Sequence, residues 1–496
     1  MKPTKHSFNY WQWRVIICSM IGYSMFYFVR KNFSFAMPAL GAEYGINDMS
    51  FGIILTLVGI IYGVSKFLNG IISDRTNARW HLAIGLAVCV VLNLIFGWSA
   101  DISHWVTGQD NGPDFVNAMV VIMAVLLVVN NIFQGCGFGP CNHLMVNWVP
   151  PKELATKMSI WNTSHSIGSF IAVVICGLIM TNMGADMSGN SSIVAQITGN
   201  LANSIKGWDD LPLAEQASRI MSYAAHYGAW RWCFLIPAMV AVGGAILCFF
   251  TLKDNPQSVG LPEIAETHTG KEATDGKKGA HKAFLDHMVF KNKWVWMFAM
   301  ANIFVYVLRM GVLDWGPKFL TESRGMNINS AAWSVAAFEL TAIVGTIFAG
   351  WATDHIFKGK AHRMCVFAMV GAVIFLGLFA LVDMPVVLST LVLAMAGFCI
   401  YGPQALIGIG SANQATKEAS ATANGLVGVF GYVGSALSAL GVGLIADHWG
   451  WDAVFITFIC AGCVGVIVFL FMWKAPRDGY ERSRQFTEKF VEEYKQ

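Results

Sequence analysis

In the stretch FYFVRKNFSFAMP, residues 26–38, Arg30 and Lys31 interrupt a run that is otherwise apolar enough to cross a membrane. A charged side chain at the bilayer centre costs about 2.5–3.5 kcal/mol even on translocon-insertion scales, so such residues are rare and mark functional positions. The pattern occurs twice: Tyr27-Phe28-Val29-Arg30 returns as Tyr306-Val307-Leu308-Arg309. Arginine presents a planar fork that matches phosphate or carboxylate oxygens and stays charged at any working pH. On a helix, Tyr23, Tyr27 and Arg30 fall on one stripe, as do Asn302, Tyr306 and Arg309, so each guanidinium shares its face with hydrogen-bonding groups. The chemistry implied is capture of an oxyanion by two arginines. The competing reading pairs each arginine with an acid inside the bundle, Glu339 or Asp314 being the candidates.

The elements that must position these arginines are membrane helices. The chain has 496 residues, 55% hydrophobic and 13% charged, against the usual quarter charged of soluble domains. Mean hydropathy is +0.53. A span needs about 20 mostly apolar residues, and that ruler predicts twelve, near 14–38, 50–73, 82–100, 117–138, 158–181, 229–252, 294–316, 331–353, 364–383, 386–410, 420–445 and 453–473. Most of the 33 Lys and Arg then fall on the side of the termini, which places both termini in the cytoplasm by the positive-inside rule. The predicted architecture is an all-α membrane protein of two six-helix bundles, 1–252 and 294–473. A polar cytoplasmic linker at 253–293, flexible in its middle, and a tail at 474–496 complete the chain.

Other classes are excluded. A formal net charge of +3 with no basic block gives no nucleic-acid footprint. The eleven cysteines show no zinc-ligand spacing, the one C-x-x-C, Cys460 to Cys463, falls inside an apolar run, and they read as small buried hydrophobes. No G-x-x-x-x-G-K-[ST], H-E-x-x-H or G-x-S-x-G occurs. Neither an enzyme, a metal nor a cofactor is expected, and no cleavable signal peptide is expected at the N-terminus.

Internal symmetry ties the halves together. Besides the two arginines, Gly70-Ile-Ile-Ser-Asp74 matches Gly350-Trp-Ala-Thr-Asp354, Gly139-Pro140 matches Gly402-Pro403, and Asn162 matches Asn424. Such repeats place a binding site at their interface. Lys66, with Tyr62 on its helical face, adds a third cation suited to a dianion, or else reaches the membrane surface. His165, three residues after Asn162, can donate a hydrogen bond near pH 7, or sits satisfied in the core. The repeat maps Lys66 onto Thr346 and His165 onto Val427, so the site is asymmetric. Tyr401, Gln404 and Asn424 are candidates to read the organic part of a ligand, with helix packing as the alternative. Lys31 points about 100° away from Arg30 on a helix and is expected to snorkel or to pair elsewhere.

The stretch GIISDRTNARW, with Asp74, Arg75 and Arg79, resembles the D-R-x-x-R gating loop of the major facilitator superfamily, and Asp354 is its counterpart in the second half. More narrowly, FYFVRKNFSFAMP, YGVSKF, WNTSHSIG, NPQSVGLP, VYVLRMGVLDW and YGPQALIG resemble the organophosphate:phosphate antiporters. That group includes hexose-phosphate and glycerol-3-phosphate transporters, hexose-phosphate sensors and the glucose-6-phosphate translocase. The resemblance implies that Arg30 and Arg309 bind phosphate, with Lys66 and His165 in the same site. It implies exchange of a sugar phosphate, glucose-6-phosphate before glycerol-3-phosphate, for inorganic phosphate by a monomer in a bacterial inner membrane. A sensor and a proton symporter using Glu339 or Asp314 are the rival functions. Asn424 and Val427 stand where some hexose-phosphate transporters carry an Asp and a Lys. The stretch 182–228 is longer than the family leads one to expect, and the sequence assigns it no role.

Overall fold

The computed structural model describes residues 7–73, 76–149, 151–262 and 280–493. Among them the only strand-like feature is a single bridge, Ala185 to Tyr227; everything regular is helical. That is the expected result for a chain in lipid, where each backbone N–H and C=O must be satisfied within its own segment.

In chain order the helices are α1 (Phe8–Phe28), α2 (Asn32–Tyr44), α3 (Asp48–Ser73), α4 (Ala78–Gly97), α5 (Ser99–Thr107), α6 (Pro113–Gln134), α7 (Phe138–Trp148), α8 (Pro151–Asn182), α9 (Ser191–Ser204), α10 (Leu213–Ala225), α11 (Ala229–Thr251) and α12 (Ala280–Leu285). They continue with α13 (Lys293–Arg324), α14 (Ile328–His355), α15 (Ala361–Leu381), α16 (Val386–Trp449), α17 (Trp451–Phe471) and α18 (Tyr480–Glu493). Local chemistry sets several ends. Asn77 caps α4 by accepting from the Trp80 N–H, and α6 starts with Pro113 at its first position behind Gly112 in a positive-φ conformation. Along α16, Thr416 leaves helical geometry at φ 63° and ψ 174°, which separates the apolar stretches Val386–Ala415 and Thr422–Trp449.

Eleven helices among the described residues are long and apolar enough to span a bilayer. The expected first span, 14–38, is not among them, and the helix there is broken. The helix stops at Phe28 and restarts at Asn32; across the gap the Val29 and Lys31 N–H groups still reach the Met25 and Tyr27 carbonyls, while the Arg30 N–H shifts to the Tyr27 carbonyl. A hydropathy window averages over such a break.

The chain forms two compact units. The first holds residues 1–266 with Leu313–Ala336 and Ala439–Trp451; the second holds 267–312, Ala337–Ser438 and Asp452–Gln496. Thus α13, α14 and α16 each contribute to both. In the first unit α1 packs on α8 and α11, α4 on α11 and α6, and α3 on α6. Its core is built from Trp11, Tyr23, Phe26, Leu82, Leu86, Trp148 and Trp161. Leu57, Ile60, Val64 and Leu68 line the exposed face of α3, as lipid contact requires.

The long stretch 182–228 folds into α9, a 3-10 turn at Trp208–Asp210 and α10, closed over a small core of Ala42, Ile197, Leu201, Trp208, Ile220 and Ala224. It is fastened to the end of α2: Gln196 Nε2 donates to the Glu43 carbonyl at 2.7 Å and Asn200 Nδ2 to that of Ala42 at 3.0 Å. Gly45 there has φ 71°, and a Cβ on it would lie 2.8 Å from Asn200 Oδ1, so both conformation and space require glycine. Tyr223 is tucked inside the insert, and burial pushes its phenol up to about 12.

In the second unit the Gly434 Cα packs against the Ile303 backbone, where a Cβ would approach the carbonyl oxygen to 2.3 Å. This is the close helix approach that small residues permit in membranes. The tail helix α18 is held by Arg482, whose Nη2 donates to the carbonyls of His287 and Lys291, both at 2.9 Å. The middle of the linker, 263–279, lies outside the described residues.

Candidate functional site

The break after α1 presents Arg30 sideways from the chain rather than along a helix. Its guanidinium carbon lies 3.7 Å from the centre of the Tyr62 ring on α3 and 5.7 Å from that of Tyr27. A cation over an aromatic face offsets part of the cost of its desolvation. The Tyr27 ring in turn lies 5.9 Å from the His165 ring on α8, and Tyr23 stands between Tyr27 at 5.5 Å and Trp161 at 4.9 Å. Lys66 Nζ is 4.4 Å from the Phe138 ring, one turn of α3 beyond Tyr62. Arg30, Tyr27, Tyr62 and His165 are therefore brought together by the first unit, with Lys66 alongside. His165 uses Nδ1 on the Asn162 backbone carbonyl and Nε2 on Ser166 Oγ at 3.2 Å. Asn162 itself is exposed.

The second unit repeats the stacking. Arg309 on α13 is 7% exposed, with its guanidinium carbon 4.6 Å from the Tyr401 ring and 5.9 Å from that of Tyr306. Its Nε has no hydrogen-bond partner. The Tyr401 hydroxyl donates to Glu339 Oε1 at 2.8 Å, and Glu339 is buried. Each unit thus holds one arginine against two tyrosines, one of them three residues earlier in the repeat motif and one from a neighbouring helix. Metal chemistry finds no support: among the described residues no group of three or more His, Cys, Asp or Glu could hold an ion.

The Major Facilitator Superfamily model matches residues 19–199 and 217–439. The chain belongs to this superfamily. Within it, the similar proteins are those of the organophosphate:phosphate antiporter group. They include a "Glycerol-3-phosphate transporter" of Bacillus subtilis, 34% identical over 92% of this chain and 91% of that protein. A "Probable hexose phosphate transport protein" of Chlamydia pneumoniae is 30% identical over 95% and 93%. The "Membrane sensor protein UhpC" of Escherichia coli is also 30% identical, over 93% and 92%. Two solved structures share the fold. A bacterial homologue of the human lysosomal transporter Spinster superposes with TM-score 0.66 at 13% identity, covering 96% of this chain and 98% of that one. The xylose transporter XylE of Escherichia coli gives 0.63 at 16%, covering 94% and 96%. Superfamily and all-helical fold stand as the sequence led one to expect, and the family is one of carriers, not enzymes.

The remaining candidates of this major facilitator protein are scattered. Asn424 is exposed and accepts from Ser411 Oγ at 2.9 Å. Gln404 is half-buried, with its Oε1 unbonded. Of the gating residues, Arg79 rests 5.0 Å from the Phe249 ring, Asp354 is exposed, and Asp74 and Arg75 lie outside the described residues. Asp314, considered above as a partner for Arg309, forms an ion pair with Lys31 at 2.8 Å within the first unit, which supplies the partner expected for Lys31.

Two sets of residues went unread in the sequence. Lys318 on α13, 1% exposed, lies 3.1 Å from Asp48 Oδ1 and also pairs with Glu322. Beside it, the Asp447 carboxylate accepts from the N–H groups of Asp48 and Met49 at 3.0 and 2.7 Å and so caps α3. The predicted seventh span ended two residues short of Lys318. The second set is a buried group of amides, Asn32, Asn93, Asn130 and Gln134. Polar residues in the apolar runs VVLNLIF and LLVVNNIFQ were the available signal.

Proposed function

We propose that this protein exchanges a sugar phosphate, glucose-6-phosphate foremost, for inorganic phosphate across a bacterial inner membrane, as a monomer with both termini in the cytoplasm. A phosphomonoester carries about −1.5 to −2 charges at neutral pH, so Arg30 and Arg309 together nearly neutralise it, and inorganic phosphate offers the same oxygens. Tyr27, Tyr62, Tyr306 and Tyr401 hold the two guanidiniums, Lys66 and His165 add positive and hydrogen-bonding character, and Gln404, Asn162 and Asn424 meet the organic part. Transport proceeds by alternating access, with the arginine motif of each half acting on one phosphate. A site that switches slowly when empty and unneutralised makes the exchange obligatory.

The observation that carries this reading is that each half holds a guanidinium beside two tyrosines, Tyr27 and Tyr306 at equivalent positions of the repeat and the second ring from non-equivalent helices, Tyr62 on α3 and Tyr401 on α16. The names of the two transport proteins among the relatives agree on a phosphorylated small molecule. The test is labelled-phosphate exchange in phosphate-loaded proteoliposomes: Arg30→Lys and Arg309→Lys should each abolish it, and wild-type exchange in either variant overturns the reading. Competition by a panel of sugar phosphates and glycerol-3-phosphate decides the substrate. The relation to a sensor supports one alternative, binding and signalling without transport, for which vesicles that bind phosphate but never exchange it would be decisive.

A further inference from the structure

The break that carries Arg30 is held by side-chain amides of two neighbouring helices. In a continuous helix the Phe26 carbonyl would accept from the Arg30 N–H. Here the Arg30 N–H turns to the Tyr27 carbonyl at 3.3 Å, and that of Lys31 joins it at 3.1 Å. The Phe26 carbonyl is left without its helical donor and instead accepts from Gln134 Nε2 at 3.1 Å. The Val29 carbonyl accepts from Asn93 Nδ2 at 3.1 Å and Asn130 Nδ2 at 3.2 Å, with Gln134 Nε2 at 3.4 Å. Asn93 is steadied in turn: its Oδ1 accepts from Asn32 Nδ2, the first residue of α2, at 2.8 Å, and its Nδ2 also reaches Asn130 Oδ1 at 3.3 Å. The four amides are between 0% and 3% exposed. Asn130 and Gln134 stand one turn apart on α6, and Asn93 comes from α4, so two helices converge on the residues flanking Arg30.

The second half supplies an internal contrast. The repeat places Val373, Leu393 and Gly397 where the first half has Asn93, Asn130 and Gln134. There α13 runs unbroken through Arg309. Amides are present where the helix is broken and missing where it is continuous, so their number follows the need for donors and not general membrane packing.

We infer that Asn93, Asn130 and Gln134 are positioning residues for substrate recognition: by fixing the carbonyls of Phe26 and Val29 they set the backbone from which Arg30 projects. Arg30 touches the phosphate and the amides act through it. Orienting groups one shell out commonly change affinity by about 10- to 100-fold, and a recognition group displaced by an ångström loses much of its effect. This inference rests on the proposed role of Arg30.

The test is a double-mutant cycle on the full chain in lipid nanodiscs, with inorganic phosphate titrated and its Kd read from intrinsic tryptophan fluorescence. Asn130→Leu should raise the phosphate Kd roughly tenfold. Combined with Arg30→Lys it should add less than about twofold, and combined with Arg309→Lys it should keep its full effect. Gln134→Met, which removes the donor to Phe26, should behave alike and serves where Asn130→Leu does not fold. A merely structural role predicts the same increment in both arginine backgrounds; that result, or an unchanged Kd in a folded single variant, overturns the inference. If Arg30→Lys alone leaves the Kd unchanged, the two-arginine reading itself falls.

Discussion

The two halves reach the same local arrangement by different construction. In the first, Arg30 sits in a three-residue gap between α1 and α2, and its backbone is held by amides from α4 and α6. In the second, Arg309 sits within a helical stretch of α13 and needs no such donors, because the carbonyls flanking it are bonded within the helix. The compensation there is made by side chains: Tyr401 covers the guanidinium and gives its own hydroxyl to buried Glu339. One repeat motif has thus been stabilised once through the backbone and once through an aromatic-acid pair. The first solution fixes where the chain turns, while the second fixes the charge and leaves the helix unbroken at Arg309.

The sharpest way to break this comparison is at the arginines themselves. Lysine keeps the charge but loses the fork and the flat stacking surface. Both Arg30→Lys and Arg309→Lys should lower phosphate exchange by about 100-fold or more, the loss expected when bidentate placement is given up. Initial rates in proteoliposomes at saturating and subsaturating phosphate check it. A variant in one half that exchanges normally while the other is dead would mean that the two arginines are not functional equivalents, whatever their matching surroundings.

A second difference concerns how far from the arginine each helix is anchored. Helix α13 continues beyond Arg309 to Lys318, which is buried between Asp48 and Glu322. Removing one partner from a buried ionic cluster leaves uncompensated charge and typically costs about 3–5 kcal/mol. Lys318→Met should therefore lower the thermal midpoint of the solubilised protein markedly, and Lys318→Arg should retain most of the stability. Lys31→Met, by contrast, removes a pair whose side chains are 13% and 16% exposed, and solvent access cuts the loss to about 1 kcal/mol or less. Equal destabilisation by the two methionine variants would show that burial does not set the difference.

How much of this the sequence disclosed follows from the range over which each signal acts. Spans, repeat and paired Tyr-x-x-Arg motifs are legible because they depend on residues within one helix, where period and hydropathy are local. Tyr27 with Arg30 and Tyr306 with Arg309 were visible for that reason, as was the Tyr62 and Lys66 face of α3. The gap at residues 29–31 was not visible: no proline or glycine marks it, and its cause is the offer of hydrogen bonds from Asn93, Asn130 and Gln134 on other helices. Partnership was equally hidden. Lys31 meets Asp314 across 283 residues of chain, and no spacing rule could have taken Asp314 from Arg309 and given it to Lys31. The insert 182–228 looked like an unexplained loop because α9 and α10 are short and mixed in polarity; its small core closes only when Ala42 from α2 completes it.

A further difference lies in the tyrosine faces, and it addresses whether the two constructions place equal weight on stacking. In the first half the guanidinium carbon is 3.7 Å from Tyr62 and its position is also set by the amide-held backbone; in the second it is 4.6 Å from Tyr401. A desolvated cation–π contact is worth about 0.5–2 kcal/mol, so Tyr62→Leu should weaken phosphate binding severalfold. Tyr401→Leu removes a ring and also the hydroxyl that satisfies buried Glu339, an added cost of about 1–3 kcal/mol. If the backbone holds Arg30 and the ring holds Arg309, then Tyr401→Leu must cost more in both phosphate affinity and melting temperature, and Tyr401→Phe must recover the stacking part alone. Phosphate titration and thermal melts of these three variants separate the contributions: wild type against Tyr401→Phe gives the hydroxyl term, Tyr401→Phe against Tyr401→Leu gives the ring term, and Tyr62→Leu gives the ring term of the first half for comparison.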